Sequence, residues 1–355
     1  MISLPIGILT VGGFFLALLL FYYLRPDPLE KYDLPAGQLF PIPSGSSSAL
    51  KLIGEKITVA HSENIGLSLK QRMLAIRKNM DSFFADVPIV SAIAPVDAGG
   101  VSAEWVIAPG ADSNRRLLYI HGGGFYVGSA KSHRVITSKL SEITNCAVLA
   151  INYRLMPEHP RRAGIEDCRK AYSWLLENGP QGKTQASAVL VAGDSAGGNL
   201  TLCLLAWLRD TGRRLPNAAV ALSPVTDARM RSPSIKRNLH TDILLKPVVV
   251  GLRKIPRPLV VASQWMFTGH GPKDPVVSPL HGDLSGLPPI LVQVSDSEIL
   301  LDDGRRYVNK AVASGTNAVL QRWKNVPHVW QIFYPDLPEA LEAFGEIDAF
   351  FKRYS

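Results

Sequence analysis

One serine lies where a strand is predicted to turn sharply into a helix. Residues 193–198 read Gly193-Asp194-Ser195-Ala196-Gly197-Gly198 and directly follow the apolar run 188–192. A Gly-x-Ser-x-Gly pattern in this setting is typical of a nucleophile elbow, because the small residues let neighbouring backbone approach the turn. The N-terminus of the predicted helix 199–209 also favours developing negative charge at the serine. The spacing therefore predicts that Ser195 is the nucleophile of an acyl-transfer reaction.

Three consecutive glycines predict the backbone donors that such a reaction needs. The apolar strand 117–120 runs into His121-Gly122-Gly123-Gly124-Phe125. Glycines leave backbone N–H groups unshielded, and acyl transfer requires N–H donors where the tetrahedral oxyanion forms. We assign this oxyanion hole to the N–H groups of Gly122, Gly123 and Ala196. The loop lacks both the Gly-Lys-Ser/Thr ending and the Gly-x-Gly-x-x-Gly spacing of phosphate-binding loops.

A nucleophilic serine needs a base, and the base needs an acid to orient it. In folds with this elbow the chain order is serine, acid, histidine. His328 lies in a short loop between the strand-like run 318–323 and the last predicted helix, so it is the predicted base. The predicted strand 290–294 is followed by two carboxylates, Asp296 and Glu298. From position alone, either carboxylate could accept the Nδ1 hydrogen of His328.

Five segments together carry a family resemblance. The sequence resembles the hormone-sensitive-lipase branch of the α/β-hydrolases, a group of bacterial esterases that is also similar to arylacetamide deacetylase. The resemblance covers most of residues 85–355, in the order found in the family. The matching segments are His121-Gly122-Gly123-Gly124, Tyr153-Arg154-Leu155-Met156-Pro157-Glu158-His159-Pro160, Gly193-Asp194-Ser195-Ala196-Gly197-Gly198-Asn199, Asp274-Pro275-Val276-Val277-Ser278-Pro279-Leu280 and His328-Val329-Trp330.

The resemblance also bears on the identity of the acid. Matching the family's acid motif through Asp302, Gly304 and Tyr307 places the acid at Glu298, with Asp296 as the alternative. The chain departs from the family at Arg161-Arg162, where an aromatic residue and a proline are usual.

The activity implied by the resemblance is that of a serine carboxylesterase acting on short- to medium-chain acyl esters through an acyl-enzyme. No cofactor or metal is expected, since the three cysteines have no metal-ligand spacing. Three alternatives remain open: an amide deacetylase or lactonase with the same triad, a non-catalytic small-molecule receptor, and a scaffold with an inert hydrolase domain. The small-molecule ester is the expected partner, and the oligomeric state is left undetermined.

The N-terminus predicts a membrane anchor. Residues 2–24 contain no charged side chain and are rich in Leu, Phe and Ile. At about 1.5 Å per helical residue, such a run is long enough for the ~30 Å hydrocarbon core. No basic residue precedes it and no small-residue cleavage site follows it, so a cleaved, secreted form is less favoured. We expect a single-pass transmembrane helix over residues 1–24, with the side of the membrane undetermined.

Charge and patterning complete the expected organisation. The net charge of +8 is concentrated in residues 229–257, which contain no aromatic residue and no nucleic-acid-binding motif, so nucleic acid is not an expected partner. Alternating strand and helix patterns predict a mostly parallel central sheet with helices on both faces. The predicted regions are the anchor 1–24, a linker and N-terminal cap segment 25–84, and an α/β-hydrolase domain 85–355 with a second cap segment at 226–272.

Overall fold

A computed structural model of the chain describes residues 27–42, 46–62, 66–256, 265–266 and 268–354. The strands are β1 Gln38–Phe40, β2 Ala92–Asp97, β3 Ser102–Ile107, β4 Asp112–Ile120, β5 Cys146–Ile151, β6 Asn178–Gly179, β7 Gly182–Lys183, β8 Ala188–Asp194, β9 Ala218–Leu222, β10 Ile290–Ser295 and β11 Ala318–Trp323. The α-helices are α1 Ser46–Ser62, α2 Leu69–Phe83, α3 Arg134–Thr144, α4 Arg161–Glu177, α5 Ser195–Asp210, α6 Ser234–Arg237, α7 Lys246–Arg253, α8 Leu301–Ala313 and α9 Pro338–Lys352. Short 3-10 turns lie at Glu30–Tyr32, Lys131–His133, Pro279–His281 and Trp330–Phe333.

Nine strands form one mostly parallel sheet in the order β1-β11-β10-β9-β8-β4-β5-β3-β2. The neighbours from β1 through to β5 are parallel, whereas β3 pairs antiparallel with both β5 and β2. This arrangement confirms the predicted mostly parallel sheet. The two-residue strands β6 and β7 form a separate hairpin.

The central strands are buried on both faces, as β4 illustrates. Leu118 and Ile120 point into one core cluster, and Leu117 and Tyr119 into the cluster on the opposite face. This division follows from the two-residue period of a strand. Each fully buried aliphatic side chain contributes about 1.5–3 kcal/mol. A strand buried on both sides therefore needs the continuous apolar run that made β4 recognisable in the sequence.

The predicted site residues follow the carboxyl ends of four parallel strands. The glycine loop follows β4, Ser195 follows β8, Glu298 follows β10 and His328 follows β11. Carboxyl ends of parallel strands meet at one edge of a sheet, which is where ligands bind in open α/β folds. The fold thus brings four segments that are far apart in sequence to one edge.

The transmembrane helix in the predicted architecture requires correction. No helix in the described part of the chain is both long and apolar enough to cross a membrane. The longest described helices, α1 and α4, have 17 residues each. At about 1.5 Å per residue they extend roughly 26 Å, short of a ~30 Å hydrocarbon core. Residues 1–24, on which the prediction was based, lie outside the described residues.

Residues 27–40, at the start of the predicted linker and N-terminal cap segment, pack on the hydrolase domain. Strand β1 pairs in parallel with β11 at one edge of the sheet. The guanidinium of Arg306 on α8 binds Asp27 and Asp33, each at 2.7 Å. These ion pairs and the strand pairing hold the segment against the domain.

Candidate active site

The turn from β8 into α5 holds Ser195 in a left-handed backbone conformation, with φ of 51°. A Cβ on Gly197 would overlap the carbonyl oxygens of Ile120 and His121 at the end of β4. A Cβ on Gly193 would lie 2.6 Å from the carbonyl oxygen of Gly197. Both glycines are therefore required by close backbone approach, which brings the serine turn against the glycine loop.

The structure brings Ser195, His328 and Glu298 together in a line. His328 Nε2 lies 2.9 Å from Ser195 Oγ, and His328 Nδ1 is hydrogen-bonded to Glu298 Oε2. The other carboxylate oxygen, Glu298 Oε1, accepts a hydrogen bond from the backbone N–H of Ser295 at 3.0 Å. His328 and Glu298 are both buried.

Asp296, the alternative acid, is directed elsewhere. Its Oδ1 accepts hydrogen bonds from the backbone N–H of Asn325 at 2.9 Å and from Ser297 Oγ at 3.2 Å. Of the two carboxylates that the sequence left open, Glu298 is the one that lies against the histidine.

Burial and charge act in opposite directions on His328. Burial disfavours the imidazolium, but the carboxylates of Glu298, Asp242 and Asp194 together outweigh it, Glu298 most of all, so the pKa of His328 is raised. Burial raises the pKa of Glu298 against the opposing effect of His328. The pair is therefore arranged to stabilise a positive charge on the histidine.

One of the predicted oxyanion donors, Gly122, is hydrogen-bonded within the protein. The N–H of Gly122 donates to Asp194 Oδ1 at 2.9 Å, so it is occupied within the protein. No described residue accepts a hydrogen bond from the N–H groups of Gly123, Gly124 or Ala196. Of the three glycines, Gly122 is therefore the one whose N–H has an acceptor within the protein. The run of three glycines could not distinguish them, because the difference lies in which N–H the aspartate takes.

Asp194 organises the ends of β4 and β8. Besides the N–H of Gly122, its carboxylate accepts the Tyr119 hydroxyl at 2.6 Å and lies 3.3 Å from His133 Nε2. Burial alone would raise the pKa of Asp194, but His133 and the hydrogen bond from Tyr119 oppose it, and the pKa is lowered. Sequence reasoning missed this role, although Asp194 stands inside the Gly-x-Ser-x-Gly motif.

His121 has a structural role at the start of the glycine loop. Its ring stacks on Tyr153 with centroids 4.3 Å apart, and its Nδ1 lies 2.7 Å from the carbonyl oxygen of Gly122. Burial lowers the pKa of His121 to about 3, so the ring is neutral.

Arg161, where the chain departs from the family pattern, bridges the two loops of the site. Its guanidinium lies 3.8 Å from the ring centre of Phe125, which follows the three glycines. Its Nη2 donates to Asn199 Oδ1 on α5 at 2.6 Å and to the carbonyl oxygen of Val277 at 3.3 Å. Burial lowers the pKa of Arg161 to about 10. Arg161 thus joins the two loops through a cation–π contact and hydrogen bonds.

The N-terminal helix α2 is fastened to the same loop. Arg77 donates from Nε to the carbonyl oxygen of Tyr126 at 2.8 Å and from Nη2 to that of Met156 at 3.0 Å. Its guanidinium also forms a two-point ion pair with Glu158. The region expected to join a cap therefore contacts the chain directly after the glycine loop.

Comparisons with known proteins agree with this architecture. Residues 117–332 match a family described as having the alpha/beta hydrolase fold. An acetyl-hydrolase of Streptomyces hygroscopicus is 40% identical over 258 residues, covering 72% of this chain and 81% of the relative. An esterase of Acinetobacter venetianus is 32% identical over 281 residues, covering 78% of this chain and 88% of the relative.

Solved structures give the same assignment. The structure of an esterase from the bacterial hormone-sensitive lipase family superposes with a TM-score of 0.75 at 36% identity. The match covers 87% of this chain and 98% of that one. The chain belongs to the α/β-hydrolase family. Within it, the chain is hormone-sensitive-lipase-like and is an enzyme of the carboxylic ester hydrolase class.

Proposed function

We propose that this enzyme hydrolyses short- to medium-chain acyl esters, with Ser195 as nucleophile, His328 as general base and acid, and Glu298 as the orienting acid. The observation that carries the proposal is the continuous line of contacts from Glu298 through His328 to Ser195. It lies at the edge of the sheet where ligands bind in such folds.

The chemistry follows from the groups in that line. His328 Nε2 removes the proton of Ser195 as Oγ attacks the ester carbonyl carbon, and Glu298 stabilises the resulting imidazolium. The tetrahedral intermediate collapses as His328 gives the proton to the leaving alkoxide, which leaves as the alcohol. Water then attacks the acyl-enzyme with the same base, and the carboxylic acid is released as Ser195 regains its proton.

The proposed oxyanion donors are the N–H groups of Gly123, Gly124 and Ala196. Ala196 is the second residue of α5, so its N–H lacks an intrahelical partner and lies at the positive end of the helix dipole. Loss of one such donor typically costs 10²- to 10³-fold in turnover. The acyl range is proposed from the family resemblance, and its short end is supported by the name of the Streptomyces relative, an acetyl-hydrolase.

The test is hydrolysis of p-nitrophenyl acetate, butyrate, octanoate and palmitate by the full chain, by Ser195→Ala and by a control, Ser173→Ala on α4. We expect the rate to be highest on acetate to octanoate. Ser195→Ala should lose on the order of 10⁶-fold in kcat, and the control should match the unchanged protein. Activity retained by Ser195→Ala contradicts the assignment of the nucleophile. A folded protein that cleaves aryl amides or lactones but no ester contradicts the substrate class.

A further inference from the structure

The loop that carries Glu298 is held from outside the sheet by the inserted segment between β9 and β10. Asn238 Nδ2 donates to the carbonyl oxygens of Asp296 and Glu298, both at 2.8 Å. Thr241 Oγ1 donates to the carbonyl oxygen of Ser297 at 2.8 Å. Three successive carbonyl groups of the acid loop are therefore bound by two side chains of the insertion.

Asp242 completes this set of contacts. Its Oδ2 accepts the backbone N–H of Ile299, the residue after Glu298, at 2.9 Å. Its Oδ1 accepts the N–H groups of Leu244 at 3.1 Å and Leu245 at 2.8 Å, just before α7. One carboxylate thus joins the acid loop to the start of a helix in the insertion.

The side chains of Asn238 and Asp242 are shielded from water, whereas that of Thr241 is exposed. The exposed fractions are 6% for Asn238, 2% for Asp242 and 1% for Glu298. Buried hydrogen bonds hold a loop firmly, because breaking one leaves a desolvated group without a partner. No described residue forms an ion pair with Asp242, so its charge is not cancelled by a neighbouring cation.

The charge of Asp242 also reaches the proposed base. The groups that influence the pKa of His328 are Glu298 on the acid loop, Asp242 on the insertion and Asp194 before the elbow. All three carboxylates raise that pKa, against the effect of burial. Replacing Asp242 by a neutral residue of the same shape should therefore lower the pKa of His328.

We propose that Asn238, Thr241 and Asp242 are positioning residues for Glu298, so that this part of the insertion, and not the sheet alone, orients the Glu298–His328 pair. The inference rests on the proposed function, because it assumes that Glu298 is the acid of the triad. It assigns catalytic consequences to a segment that composition alone marks only as part of a cap.

The experiment compares Asp242→Asn, Asn238→Ala and Thr241→Val with a control, Asp283→Asn. Asp283 is exposed and precedes β10, so it lies at the edge of the sheet opposite the site. We measure kcat and KM on a p-nitrophenyl ester from pH 5 to 9, with folding followed by thermal unfolding. Ser195→Ala is assayed in parallel.

We expect Asp242→Asn and Asn238→Ala to lower kcat by about 10- to 100-fold while KM stays within a few-fold, since the acid is displaced but the substrate site is not. The acid limb of the kcat/KM profile should move to lower pH in Asp242→Asn only, because Asn238→Ala leaves the charge in place. Thr241→Val should lose several-fold in kcat, and Asp283→Asn should be unchanged.

Each outcome has one meaning. Suppose that Asp242→Asn and Asn238→Ala fold and keep the kcat and pH profile of the unchanged protein, while Ser195→Ala is inactive. That result overturns the positioning role and leaves the proposed function intact. If those two variants do not fold, an unchanged kcat in Thr241→Val overturns it. An active Ser195→Ala instead contradicts the proposed function itself.

Discussion

Two carboxylates stand two positions apart after β10, and their surroundings separate their roles. Glu298 is buried against His328, away from bulk solvent. Asp296 is half-buried and holds the backbone of Asn325. A carboxylate that must stabilise an imidazolium is most effective in the first of these settings, because a low local dielectric strengthens the interaction.

At this scale we predict opposite outcomes for two conservative substitutions. Glu298→Gln should lower kcat on the order of 10⁴-fold, because the amide neither stabilises the imidazolium nor enforces the required tautomer. Asp296→Asn should stay within a few-fold of the unchanged protein, since an amide oxygen can still accept the N–H of Asn325. Steady-state kinetics on one ester distinguishes the two. A larger loss of kcat in Asp296→Asn than in Glu298→Gln would reverse our assignment of the acid.

Among the elements, the decisive contact is between the end of β4 and the first turn of α5. Gly197 lies on that turn, and its missing side chain lets the backbone carbonyls of Ile120 and His121 come close. The same approach sets the distance between Ser195 and the glycine loop. A shift of either element therefore changes the site even when no predicted site residue is altered.

We predict opposite effects for the same substitution, glycine to alanine, at two helical positions. Gly197→Ala should lower kcat/KM by about 10²-fold or more and destabilise the fold by about 1–3 kcal/mol, because its Cβ meets rigid backbone. Gly345→Ala on α9 meets nothing and should stabilise by about 0.5–1 kcal/mol, with unchanged activity. Ester hydrolysis and urea unfolding measure both effects. Wild-type kcat/KM in Gly197→Ala would contradict the packing argument.

Local patterns made much of this arrangement predictable from the sequence. The predicted strands 117–120 and 188–192 lie within β4 and β8, since an apolar run ending in glycines marks both a buried strand and the turn after it. The occupation of the Gly122 N–H was not predictable. Its partner is 72 residues away, and their meeting depends on the register of β4 against β8.

Two further features, the strand β1 and the buried position of Arg161, could not be predicted from the sequence. β1 has three residues, too few for any periodicity to be seen. The buried position of Arg161 contradicts the usual preference of arginine for solvent, so only the packing around Phe125 and Asn199 explains it. In both cases the structure depends on long-range partners that a local pattern does not record.

At the scale of the whole molecule, the segment 27–40 joins the beginning of the described chain to its later part. Arg306 is 1% exposed and is held by Asp27 and Asp33. Asn309 donates to the carbonyl oxygens of Tyr32 at 2.8 Å and Pro35 at 2.7 Å. The hydrolase domain is therefore completed by residues that precede its main sequence motifs.

We predict that Asp27→Asn/Asp33→Asn lowers the free energy of unfolding by about 3–5 kcal/mol, since a buried guanidinium loses both counter-charges. The control is Asp210→Asn, which removes the exposed partner of Arg209 and should change stability by no more than about 1 kcal/mol. Urea unfolding followed by tryptophan fluorescence measures both. Equal stability losses in the two variants would mean that the segment is not fastened as described.

The three cysteines suggest a practical use of this enzyme for spectroscopy. Cys146, Cys168 and Cys203 are buried, and burial raises the pKa of each thiol, for Cys203 to about 12. Thiolates are the reactive species, so the folded protein should give little background with maleimide dyes. Met266 in the insertion is 73% exposed, and Met266→Cys would supply a single labelling position. A fluorophore there would report movements of the insertion during turnover without removing any native cysteine.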